Sequence, residues 1–242
     1  MIYLIGLGLW DENDLSLRAL AAMKNCQEVY CEFYTNKWLG DMDKLEEIIG
    51  KKVKLLKRTD VESELLTDEA KTKDVALLVP GDPLVATTHI QLMIDAQNKN
   101  VETKVIHSSS IYTAVAETGL QLYKFGRTTT LAFIEKSFKP SSPYEVIIEN
   151  RKAGLHTLVL LDIKEGNRYM TIADGIDVLV QLGMDQETKI VACCQMGSLE
   201  QKIKYGSMKT LSAGELDSTP AVIIIPGQLH FKEDEALRMY SA

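Results

Sequence analysis

The stretch Val75-Ala76-Leu77-Leu78-Val79-Pro80-Gly81-Asp82-Pro83-Leu84-Val85-Ala86-Thr87-Thr88-His89 decides the fold. Its first five residues are apolar on both faces, the pattern of a parallel strand covered by helices on each side. Pro80-Gly81 ends the strand, Asp82 suits a helix N-cap, and Pro83 suits the first helical position. A buried strand running into a capped helix is half of a βαβ unit. In open α/β sheets ligands sit just beyond the carboxyl ends of strands, where this turn must lie. The turn therefore has two readings, a capped connection or a ligand site.

Outward from this point the pattern recurs. Apolar or β-branched runs at 2–5, 28–33, 53–56, 103–106, 128–133, 157–162, 190–194 and 221–225 read as strands. Between most of them lie apolar residues at helical spacing, such as Leu15, Leu17, Leu20 and Ala21, or Leu45, Ile48 and Ile49, or Ile90, Met93 and Ile94. The run AVIII at 221–225 is apolar on both faces like VALLV, and reads as parallel for the same reason. After 190–194 comes a Gly-marked segment at 201–206 in place of a long helix, which predicts an antiparallel hairpin. Breaks at 119–126 and 135–142 predict two α/β domains, residues 1–120 and 121–242.

Composition bounds the function. The 242 residues carry 34 acids against 27 Lys plus Arg, a formal charge of −7, which argues against direct nucleic-acid binding. The start, MIYLIGLGLWDE, has no basic n-region, and no apolar run approaches the roughly 20 residues of a membrane helix, so a cytoplasmic, membrane-free protein is expected. The four cysteines, at 26, 31, 193 and 194, lack zinc-ligand spacing. They read as buried reduced thiols, with a metal or redox role as the alternative, and no metal site is expected.

Three more strand-end turns could carry chemistry. Tyr3-Leu4-Ile5-Gly6-Leu7-Gly8-Leu9-Trp10-Asp11 has Asp11 where a dinucleotide fingerprint needs its third glycine, so it is a poor Rossmann candidate. Val105-Ile106-His107-Ser108-Ser109-Ser110-Ile111-Tyr112 offers hydroxyls to cap a helix through Leu120 or to hold a ligand, and His107 is either a general base or structural. Ile223-Ile224-Ile225-Pro226-Gly227-Gln228-Leu229-His230 repeats the strand-then-Pro-Gly pattern, and His230 is a ligand contact or a surface histidine. No serine elbow, Cys/His nucleophile, HExxH pair or kinase set is present, so any chemistry comes from a bound cosubstrate.

Taken together, IGLGLWDENDLSLRAL, EFYT, PGDPLVATTH, HSSSIYTAV, GLQLYKFGRTTTLAF, GLHTLVLLDIK and IIIPGQLHF closely resemble the diphthine synthase family of the tetrapyrrole methylases, in its archaeal form. The resemblance runs from residue 1 to about 231, with the segment after His230 expected to be short for the family. It implies two α/β domains, not Rossmann-like, with S-adenosylmethionine in a cleft between them, S-adenosylhomocysteine as product, and a homodimer. It implies as protein substrate translation elongation factor 2, on a histidine bearing a 3-amino-3-carboxypropyl group whose amine is methylated repeatedly to diphthine. The family's cosubstrate contacts would fall on Leu9, Asp82, Val85, Ser110, Ile111, Leu161, Tyr205 and His230.

Methyl transfer from a sulfonium is an in-line displacement that needs positioning more than covalent help. Asp82, His107, His230 or water could take the amine proton, so no catalytic residue is assigned. Tyr112 offers an aromatic face to a cationic product, and Lys124, Arg127, Lys136 and Lys139 are candidate basic contacts for the elongation factor. The alternatives are a relative acting on a corrin precursor or ribosomal RNA, and a non-catalytic S-adenosylmethionine-binding module.

Overall fold

Every residue of VALLV is buried, and the strand it forms lies in the middle of a five-stranded sheet. The computed structural model describes residues 1–135, 141–164, 168–214 and 216–242. The chain divides into two units, Met1–Tyr112 and Thr113–Ala242.

In the first unit the order is β1 (Ile2–Gly6), α1 (Leu17–Asn25), β2 (Glu28–Cys31), α2 (Met42–Ile49), β3 (Lys54–Leu55), α3 (Arg58–Val61), α4 (Leu65–Glu69), β4 (Val75–Val79), α5 (Ile90–Asn98) and β5 (Thr103–Ile106). The strands run in the order β3-β2-β4-β1-β5, all parallel. Strand periodicity sends Val75, Leu77 and Val79 to one face, with Leu66 of α4 and Leu92 and Ala96 of α5. Ala76 and Leu78 go to the other, with Ala19 and Met23 of α1 and Leu45 and Ile49 of α2. Each large side chain so buried contributes about 1.5–3 kcal/mol. Ser16 caps α1 by accepting from Ala19 N at 3.1 Å, and Asp41 caps α2 by accepting from Asp43 N at 2.9 Å.

One expected helix start is corrected. No helix begins at Pro83, and α5 starts at Ile90, because Ala86 takes a left-handed φ of 55° and breaks any turn begun at Pro83. The Asp82 carboxylate instead closes a local turn, its Oδ1 accepting from Leu84 N at 3.1 Å.

The second unit follows the short helix α6 (Ile111–Ala114), within which the division falls. It contains β6 (Thr129–Leu131), α7 (Ser142–Lys152), β7 (Thr157–Leu161), β8 (Ile163–Lys164), β9 (Arg168–Tyr169), α8 (Ile172–Gln181), β10 (Lys189–Cys194), β11 (Lys202–Ser207), α9 (Met208–Ser212), β12 (Ala221–Ile225) and α10 (Phe231–Arg238). The sheet order is β11-β10-β12-β7-β6. Among the described strands of this sheet, only β6 and β7 pair in parallel. The parallel reading of AVIII is therefore overturned, since β12 is antiparallel to both β7 and β10. Burial on both faces produced the pattern, and burial does not depend on strand direction. The hairpin expected after 190–194 is present as β10 and β11, with Lys202 and Lys204 exposed on the edge strand and Ile203 and Tyr205 turned inward.

All four cysteines are free and buried. Burial pushes the thiols up, to about 11 at Cys26 and Cys194 and about 12 at Cys31. No described helix is long and apolar enough to cross a membrane.

Candidate functional site

The carboxyl ends of β1, β4 and β5 are adjacent in the first sheet, so the turns that follow them meet at one edge. Gly8 and Gly81 join two of the turns, Gly81 N donating to Gly8 O at 2.8 Å and Gly8 N to Gly81 O at 3.2 Å. The third is tied in by Asp82, whose Oδ2 accepts from Ser108 N at 3.2 Å and faces His107 Nδ1 at 2.7 Å. Gly6 shows how close the approach is: a Cβ there would lie 2.5 Å from Gly81 O and 2.7 Å from Ser108 Cβ. Only glycine admits these turns to one another.

Residues the sequence did not single out brace the turn after β4. Fully buried Glu32 accepts from the backbone N of Tyr34 and of Thr35, each at 3.0 Å, and from Thr35 Oγ1. Burial pushes its carboxyl above the usual range. His89 Nδ1 lies 3.1 Å from Pro83 O, and since a carbonyl only accepts, Nδ1 carries the proton and Nε2 accepts from Tyr34 Oη at 3.3 Å. Burial holds this ring below the ordinary histidine value. An acid embedded in the run EVYCEFYT was the available signal for Glu32.

The first-unit contacts expected from the resemblance sit on this edge. Leu9 is half-buried just past the Gly8 turn, Asp82 is buried, and half-buried Val85 donates its N–H to Asp82 O at 3.2 Å. Ser110 is buried immediately before α6, Ile111 is half-buried, and Tyr112 is exposed.

In the second unit the Pro226-Gly227 turn is held by a buried polar knot. His156 Nδ1 accepts from Gly227 N at 2.9 Å, and its Nε2 donates to Glu233 Oε1 at 2.9 Å. Glu233, also fully buried, accepts from Gln121 N at 2.9 Å, from His230 N at 2.8 Å and from Lys124 Nζ. Burial opposes the charge on Glu233, but these donors outweigh it and hold the carboxyl down at about 2. Burial keeps His156 below its ordinary value as a neutral ring. A Cβ on Gly227 would lie 2.4 Å from Leu155 O, so the turn packs directly on the segment before β7.

The second-unit contacts expected from the resemblance are more dispersed. His230 is exposed and caps α10, its Nδ1 accepting from Lys232 N at 3.3 Å. Leu161 ends β7 and packs against the core. Because β12 is antiparallel to β7, the His230 turn lies by the start of β7 and Leu161 by its end. Tyr205 pairs with Val191 in the β11–β10 ladder, and its buried ring lies beneath Lys189 Nζ.

The candidate basic contacts are placed as follows. Lys124 is committed to Glu233 and, at 2.7 Å, to Gln228 O, while exposed Arg127 pairs with Glu149 at 3.4 Å. Lys136 and Lys139 lie outside the described residues.

Residues 1–212 match the family model of Tetrapyrrole (Corrin/Porphyrin) Methylases. A diphthine synthase from Methanocaldococcus jannaschii is 45% identical over 251 residues, covering 98% of this chain and 98% of its own length. One from Methanothermobacter thermautotrophicus is 44% identical, covering 98% of this chain and 94% of its own. A crystal structure of diphthine synthase superposes with a TM-score of 0.93 at 37% identity, covering 100% of this chain and 96% of that one. Residues after His230 form α10 and an edge pairing of Ser241 with Tyr205.

Proposed function

Since the chain belongs to the tetrapyrrole methylases and, among them, to the diphthine synthase family, it is an S-adenosylmethionine-dependent methyltransferase of diphthamide biosynthesis, and we propose that its substrate is translation elongation factor 2. The acceptor is the amino group of 3-amino-3-carboxypropyl-histidine, methylated three times to the trimethylammonium of diphthine. The 45% identity across 98% of both chains carries this reading. The enzyme works in the cytoplasm as a homodimer and releases S-adenosylhomocysteine.

The loop edge of the first unit suits an amphipathic cosubstrate. Half-buried Leu9, Val85 and Ile111 offer apolar contact, Ser108 and Ser109 offer hydroxyls, and the Cα of Gly81 opens onto space with no atom within 4 Å of a built Cβ. The first-unit residues that would hold the cosubstrate are Leu9, Asp82, Val85, Ser110 and Ile111. Bound there, S-adenosylmethionine supplies an electrophilic methyl on a sulfonium. Asp82 contributes by organisation, its oxygens being committed to Leu84 N, Ser108 N and His107. Rigid loops of this kind lower the barrier by fixing the reacting geometry in advance.

The test is transfer of labelled methyl to elongation factor 2 carrying the aminocarboxypropyl group, beside the same factor with unmodified histidine. Label in the first alone is the expected result. Label in neither, with incorporation into a corrin precursor or ribosomal RNA, would overturn it.

A further inference from the structure

We propose that His107 is the proton acceptor of the methyl transfer, held for that task by Asp82; this rests on the function proposed above. The ring nitrogen Nδ1 lies 2.7 Å from Asp82 Oδ2, with the histidine side chain 70% exposed and the aspartate 6%. A carboxylate only accepts, so Nδ1 carries the proton and the lone pair is on Nε2. No described residue hydrogen-bonds that Nε2. Asp82 cannot swing away, because Leu84 N and Ser108 N hold its two oxygens. Among the described residues Asp82, from the turn after β4, is the one acidic side chain paired with the ring.

The other histidines show what structural rings look like in this protein. His89 and His156 are buried with both nitrogens engaged, and the Nδ1 of His230 caps a helix. His107 alone pairs a buried acid on one nitrogen with an open lone pair on the other, and it stands on the edge that carries Leu9, Val85, Ser110 and Ile111.

The chemistry needs such a group. An ammonium has no lone pair to attack with. Its N–H bond breaks, the electron pair stays on nitrogen and the proton goes to His107 Nε2. The lone pair then forms the N–C bond while the C–S bond breaks, its electrons passing to sulfur to leave the thioether. The secondary and tertiary ammonium products each surrender a proton before the next transfer, so three transfers release three protons. The exposed imidazolium passes each to solvent, and the Asp82 carboxylate offsets its charge meanwhile.

The experiment compares wild type with His107→Ala and His107→Gln, each checked by circular dichroism and unfolding midpoint. Calorimetry is expected to show S-adenosylmethionine binding within about twofold of wild type, while the first methyl transfer at neutral pH falls about 100-fold. The acid limb of the wild-type pH–rate profile is lost in both variants, and added imidazole partly restores His107→Ala. Independently of turnover, long-range 1H–15N spectra of the protein alone are expected to show the His107 proton on Nδ1, and Asp82→Asn to abolish that preference. A wild-type rate and profile in His107→Ala, or a ring proton on Nε2, would overturn the assignment while leaving the function intact. No transfer by the wild-type enzyme would overturn the functional reading and the acceptor with it.

Discussion

His156 and Glu233 lie 77 residues apart in sequence and 2.9 Å apart in space, with both side chains fully buried. Through His156 the pair reaches Gly227 N, and through Glu233 it reaches Gln121 N, His230 N and Lys124, so one knot fixes the turn that carries His230.

Removing one member strands the others. Glu233→Ala leaves Lys124, the His156 Nε2–H and two backbone N–H groups without this acceptor, and should destabilise the protein by about 3–5 kcal/mol. The unfolding midpoint in urea measures this. A loss below about 1 kcal/mol would show that water replaces the carboxylate at little cost.

The same knot makes stability sensitive to acid. The carboxyl of Glu233 sits at about 2 when folded, against about 4.3 for a free glutamate, so its contribution is complete above that free value. It is lost as pH falls from about 4.3 toward 2. Glu32, raised by burial, acts in the opposite sense as pH rises, so the quantity to measure is the difference between wild type and Glu233→Gln. That difference should shrink on acidification through this window. His156 and His89, both lowered by burial, add a loss of stability as pH falls below about 6.5.

Two glycines on the first-unit edge should respond differently. Gly6→Ala drives a Cβ to 2.5 Å from Gly81 O and must part the turns, destabilising by about 1–3 kcal/mol and weakening S-adenosylmethionine binding more than about tenfold. Gly81→Ala meets nothing within 4 Å and bears only the strain of a φ of +71°, about 1–2 kcal/mol. Calorimetric titration of both variants checks the order, and equal effects would count against the convergence of turns as the basis of the site.

How much of this was legible in the sequence depended on how locally each feature is encoded. VALLV, the glycine turns and the PGDP turn are contiguous, and they placed the first sheet and the edge where its turns meet. AVIII misled because burial on both faces leaves strand direction unmarked. The helix expected from Pro83 was displaced to Ile90 by Ala86, a residue with no local sign of a left-handed backbone. His156 and Glu233 were invisible for a different reason. Glu233 reads as one more charge in the polar helix FKEDEALR, and only the pairing of β12 with β7 brings it to the ring.

The four cysteines should be silent in the native protein, since all are buried and their thiolates disfavoured. A disulfide reagent at pH 8 should titrate four thiols only after denaturant is added. Rapid reaction of the folded protein would place a thiol at the surface.

The most direct measurement is mass spectrometry of elongation factor 2 bearing the aminocarboxypropyl-histidine, before and after incubation with this enzyme and S-adenosylmethionine. The account predicts successive methyl additions confined to the peptide with that histidine, ending at three. An unchanged mass with demonstrated S-adenosylmethionine binding, or methyls on any other residue, would contradict it.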